Sequence, residues 1–225
     1  MRIGIDARMF GQKQTGIGIY IENLIKNILK LNNESEYVLF VRDASELAGE
    51  EFIKKNNVKI IIADYPWYSF SEQSFFIFKI WREKLDLMHF PHFNAPIFCP
   101  VKFVVTIHDM TPKYFPGNKV GKSFFRRKMF DLVMSRALRK SEKIIAVSNF
   151  TKNEILKFYP RIKKEKIEVI YEGLREEFFN HIFSAGQEYT FEEHPQENLL
   201  GVLQYNREAL QNKFSEDERA KPLES

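Results

Sequence analysis

The chain has 225 residues, 44% of them hydrophobic and 28% charged, which is enough for one large or two small domains with a real core. No uninterrupted apolar run approaches the roughly 18 residues of a membrane span, and the N-terminal MRIGIDARMF has no signal-peptide core. The lone Cys99 excludes an internal disulfide and fits a reducing compartment, so the expectation is a cytoplasmic protein.

In chain order, β-like runs fall at 2–6 (RIGID), 37–41 (YVLFV), 58–63 (VKIIIA), 86–90 (DLMHF), 102–108 (KFVVTIH), 143–148 (KIIAVS) and 166–171 (KIEVIY). Several are continuous Val, Ile and Phe runs, the composition of strands buried on both faces of a parallel sheet. Helical patterns fit between them at 17–31, 45–56, 71–84, 120–140 and 149–159, the last with Ser148 or Asn149 available as its N-cap. Strands alternating with helices predict a doubly wound, mainly parallel α/β sheet whose ligands bind beyond the carboxyl ends of the strands. The alternation stops near residue 180. Residues 181–225 are expected to form an acidic tail with one helix at about 197–214 and a disordered end.

Charge is divided in the same way. Up to Phe183 there are 30 Lys and Arg against 21 Asp and Glu, and from Ser184 onward 4 against 9. A basic body attracts phosphates, nucleic acid or anionic lipid. No nucleic-acid module is visible, which argues against that partner. The basic helix 122–140 has two readings: a core-packing helix with a solvated face, or a peripheral contact with anionic lipid headgroups.

Three motifs carry candidate chemistry. Gly16, Ile17 and Gly18 stand just before a helical pattern, where glycines let backbone N–H groups and the positive helix end approach an anion. No Lys-Ser/Thr follows, and a third glycine is missing, so this is neither a Walker A loop nor a dinucleotide fingerprint. A tight turn with no ligand and a phosphate contact both remain open. His89 lies near the end of the run 86–90 and His92 follows three residues later, but two ligands are too few to specify a metal site. His108 and Asp109 end another buried run, where the imidazole can hydrogen-bond a hydroxyl in the cleft or tie down a loop.

The stretches GIDARMFG…TGIGIYIENL, DLMHFPHFNAP, VVTIHDMTPKYFP, ALRKSEKIIAVSNFTKNEILKFY and KIEVIYEGL occur collinearly from residue 1 to about 175. In this order they resemble the N-terminal, acceptor-side half of retaining GT-B glycosyltransferases of the family-4 type. The resemblance implies a Rossmann-like domain at 1–180 and hexosyl transfer from a nucleotide-sugar to a glycan or lipid-linked acceptor, with no essential metal. It also implies that the 16–18 loop approaches the donor phosphates, that His108 bonds the donor sugar or reacting region, and that Asp109 orients the loop. Ser148 and Thr151 would line the cleft, His89 and Asn94 would contact the acceptor, and Glu72 matches a frequent acidic position with no role assigned.

Ile19 departs from the family pattern, which usually places a basic residue there. The donor domain expected after VIYEGL is not recognisable in 181–225, so the expectation is a truncated or split form with little activity alone and a separate donor-domain partner. The alternative is a non-catalytic glycan- or lipid-binding module derived from the acceptor domain. A nucleotide-dependent oxidoreductase is disfavoured by the broken glycine pattern.

Overall fold

The computed structural model describes residues 1–11, 15–31, 34–67, 69–114 and 124–173, with the side chains of 15 and 124–127 outside the description. The tail helix expected at 197–214 and the domain boundary at 180 lie outside the described residues.

Seven strands form one parallel sheet: β1 (Arg2–Asp6), β2 (Glu36–Val41), β3 (Val58–Ile62), β4 (Leu87–Phe90), β5 (Phe103–Ile107), β6 (Lys143–Ala146) and β7 (Ile167–Val169). Their order is β3-β2-β1-β4-β5-β6-β7. The main α-helices are α1 (Thr15–Leu31), α2 (Ile77–Arg82), α3 (Thr111–Tyr114), α4 (Phe124–Lys140) and α5 (Asn149–Phe158). This is the Rossmann-like doubly wound arrangement, and the strand order reverses direction between β1 and β4.

The continuous apolar runs fold this way because the central strands are covered on both faces. On one face Ile5, Leu39 and Val41 pack against Ile21, Ile25 and Leu29 of α1. On the other, Phe40, Met88, Phe90 and Val105 pack against Phe76, Ile80, Met134 and Leu138. Burial of these side chains supplies the main driving force, at roughly 1.5–3 kcal/mol for each large one.

All seven strands fall within the expected ranges or within a residue of them, and the helices differ more. The range 45–56 is two short 3₁₀ turns, Ala44–Leu47 and Glu51–Lys54, instead of a helix. Gly49 between them adopts φ +90°, a left-handed backbone that stops helix propagation. The range 71–84 opens with a π-helical turn, Glu72–Phe76, before α2. Helix α1 starts at Thr15, so Gly16 and Gly18 sit within its first turns and not in a loop ahead of it. The turn into that region is made at Gly11, with φ +90°, whose N–H donates to the Gly18 carbonyl at 3.4 Å. Among the described residues, no helix is long and apolar enough to cross a membrane.

Candidate functional site

In a sheet of this order the reversal between β1 and β4 marks the place, beyond the carboxyl ends of the strands, where a ligand crevice is expected. Asp6 ends β1, and Arg8 turns back onto it. The guanidinium donates from Nε to Asp6 Oδ1 and from Nη2 to Oδ2, both at 2.8 Å. Arg8 Nη1 lies 2.9 Å from Glu72 Oε1, off the line of a good hydrogen bond. Asn94 Nδ2 donates to the same Glu72 oxygen at 2.8 Å. The Arg8 cation is also held between the rings of Trp67 and Phe76, at 4.2 and 4.0 Å.

Arg8 and Glu72 are 0% exposed. Burial works against the Arg8 charge, but Asp6 and then Glu72 more than offset it, so its pKa lies above the ordinary value. A buried cation with two carboxylates and a bidentate fork is a rigid, charged floor for the crevice. Among the described residues, Asn94 Oδ1 and His92 Nδ1 are inaccessible to solvent and have no hydrogen-bond partner.

A second chain of contacts leads to His108. His89 Nε2 lies 2.9 Å from Thr106 Oγ1, which the Tyr20 hydroxyl of α1 approaches at 3.4 Å. The Tyr20 ring meets His108 edge-on, with ring centroids 4.8 Å apart. His108 Nε2 lies 2.9 Å from the Pro91 carbonyl and Nδ1 2.8 Å from Glu172 Oε1. Both ring nitrogens thus face an oxygen, one a carboxylate and the other a backbone carbonyl. Burial, followed by the His108 charge, lowers the pKa of His89 to about 4. The same causes lower His92 to about 4, partly opposed by Asp6 and Asp109.

Of the residues singled out from sequence, the structure gathers His108, His89 and the first turns of α1 through Pro91, Thr106 and Tyr20, while Asn94 joins the Arg8–Glu72 cluster. Gly16 is exposed, Ile17 is half-buried and Gly18 is buried. Ser148 caps α5, accepting from the Thr151 N–H at 3.0 Å. Thr151 is buried and its hydroxyl donates to the His108 carbonyl at 3.0 Å, so it ties the His108 loop to α5 and does not face the crevice. Exposed Asp109 accepts from the Thr111 N–H at 2.7 Å and turns the chain into α3. Asp6, Arg8, Tyr20, Thr106 and Glu172 were not singled out from sequence. An Asp-x-Arg ending an apolar strand is the one local signal that points to this cluster. Among the described residues, no three His, Cys, Asp or Glu side chains gather as a metal-binding group.

The family model for Glycosyltransferase Family 4 matches residues 14–178, well over half of the chain. The chain belongs to this family. No curated protein sequence matches it. Among solved structures, the chain is similar to Anabaena HepE, crystallised with UDP and glucose, at 14% identity and a TM-score of 0.48. The likeness covers 77% of this chain and 44% of that one, so the chain spans less than half of the length of HepE.

Proposed function

We propose that this domain forms the acceptor-side wall of a retaining GT-B glycosyltransferase, which moves a hexosyl group from a nucleotide-sugar to a glycan or lipid-linked acceptor. The observation that carries the reading is the buried polar cluster at the strand reversal. A family-4 chain places a buried Asp6–Arg8–Glu72–Asn94 floor there beside an imidazole on a strand end.

In this reading His108 is the group at the reacting centre. Its Nδ1 is held by Glu172, a half-exposed side chain that can give way to a sugar hydroxyl. Asp109, Ser148 and Thr151 position that loop and do not touch the substrate. Asn94 fixes Glu72 beneath the acceptor side, and neutral His89 holds Thr106 and Tyr20 in place behind His108. The N–H groups at Gly16, Ile17 and Gly18 belong to the first turns of a 17-residue helix. Their positive end favours the charge that develops on a departing phosphate. No metal is needed for that stabilisation, and the donor side of the cleft comes from a donor domain, in this protein or a partner.

The test is turnover of a panel of nucleotide-hexoses by the protein, alone and with a donor-domain chain added. His108→Ala is expected to lower kcat/KM by about 100-fold or more while leaving the thermal midpoint within a few degrees. Full activity in His108→Ala would remove His108 from the reaction. Glycan binding without turnover under either condition would favour a binding module.

A further inference from the structure

The segment 70–82 carries apolar side chains on two faces. Glu72, Phe76 and Ile80, at four-residue spacing, turn into the protein. Phe70, Phe75, Phe78 and Trp81 turn outward and are 83%, 59%, 54% and 62% exposed. The rings of Phe78 and Trp81 meet with centroids 5.8 Å apart, and Phe75 stacks on Tyr65 at 6.4 Å. Phe98 joins this side of the molecule, because the neighbouring Ile97 N–H donates to Gln73 at 2.8 Å. Arg136 of α4 lies over the Phe98 ring at 5.5 Å. Four large exposed aromatics on a stretch of roughly 18 Å exceed what single scattered apolar residues explain.

The same segment is cationic at its far end. Lys79 and Arg82 lie on it and Lys84 follows. Here α2 runs into a shallow pocket of about 380 Å³ lined by Arg2, Lys59, Arg82, Glu83 and Lys84. The pocket's carboxylate is already used: Glu83 binds Arg2 at 2.8 Å and Lys59 at 2.7 Å. Glu36 takes the other Arg2 nitrogen at 2.6 Å, and Asp86 accepts from the Arg2 backbone N–H at 2.7 Å. Among the described residues, Arg82 and Lys84 have no acidic partner and are exposed.

We propose that residues 70–84 are a peripheral docking surface for an anionic phospholipid bilayer. Phe70, Phe75, Phe78 and Trp81 seat in the interfacial layer, and Arg82 and Lys84 meet headgroup phosphates. Charge decides the occupant. A cationic end beside the aromatics complements anionic lipid and repels the same end of a second copy of this chain. Aromatic rings with flanking Lys and Arg are the composition that resides at the membrane–water interface. Because α2 returns antiparallel to the strands, docking lays the crevice edge-on to the bilayer, with the Phe70 end nearest the crevice and the Arg82 end farthest. The proposal stands independently of the transfer reading, and it differs from a contact through the basic helix 122–140.

The test is co-sedimentation of the full chain with vesicles of phosphatidylcholine alone or in equal mixture with phosphatidylglycerol. Binding is expected to the mixed vesicles only and to weaken as salt is raised. R82Q/K84Q is expected to bind about thirtyfold more weakly, from about fivefold per cation near a charged surface. F78S/W81S is expected to lose sedimentation. Trp81 emission should shift to the blue on the mixed vesicles, and W81F, which keeps Trp67, should lose that shift. Unchanged circular dichroism shows that the variants remain folded. Three results would overturn the proposal: failure of the wild-type chain to bind mixed vesicles, binding unaltered in both double variants, or a concentration-dependent dimer broken by F78S/W81S without vesicle binding.

Discussion

The two ends of the sheet use the same residue types under opposite conditions. At the carboxyl end Arg8, Asp6 and Glu72 are withdrawn from water, with Arg8 and Glu72 fully buried. At the amino end Arg2, Glu36 and Lys59 keep 32%, 64% and 55% of their side chains in solvent, although their ion pairs are just as short. Distance therefore says little about what each pair contributes. A buried pair fixes geometry, because losing one partner strands the other charge in a poor solvent, whereas an exposed pair exchanges for water at little cost. The contrast lies between these two clusters: Glu83, which joins Arg2 to Lys59, is buried but both of its cations reach water, whereas Arg8 does not.

The largest expected effect follows from that contrast. Arg8→Met leaves Asp6 and Glu72 buried without their cation and is expected to cost about 3–5 kcal/mol in urea unfolding. A loss below about 1 kcal/mol would show that water reaches this floor and that the two ends do not differ.

Acid should reveal the same dryness. The imidazoles of His89 and His92 have pKa values near 4, with burial as the first cause, against an ordinary value of 6.5. Below about pH 6.5 the unfolded chain takes up protons that the folded rings refuse until about pH 4, so stability falls through that window as pH is lowered. The expected loss is up to about 3 kcal/mol per ring, read from urea midpoints at each pH. His89→Asn should flatten part of this slope, and an identical slope in that variant would remove His89 from the account.

Smaller effects sharpen the comparison. Ser148→Ala removes the cap of α5 and is expected to cost about 1 kcal/mol. It should also raise amide exchange in the segment around His108, because the Thr151 tie depends on that cap. Glu36→Gln at the amino end is expected to shift stability by about 0.5 kcal/mol or less, in a salt-dependent manner. If it matched Arg8→Met, burial would not be what separates the two ends.

The sheet was legible in the sequence because continuous Val, Ile and Phe runs have few alternatives to a doubly covered parallel strand. The N-cap at Ser148 was legible because a short-range hydrogen bond sets it. The 3₁₀ turns at 44–54 were not, because the sequence pattern does not reveal that Gly49 adopts a left-handed backbone. The π-helical turn Glu72–Phe76 was not either, since helical spacing tolerates one extra residue. The crevice was half legible. His108 stood out at a strand end and Asn94 through the family resemblance, but Arg8, Glu72 and Asn94 lie far apart in the chain, and no local spacing predicts that they meet.

The sequence by itself determined the succession of elements along the chain, the strand–helix alternation and the collinear motifs of a family-4 domain. Those features are written in neighbouring residues through period, composition and capping. Only the tertiary structure decided which charges are dry, that Thr151 holds a loop, and that Phe75, Phe78 and Trp81 face outward while Phe76 and Ile80 do not. Burial is a property of what covers a residue, and here the cover comes from strands and helices tens of residues away.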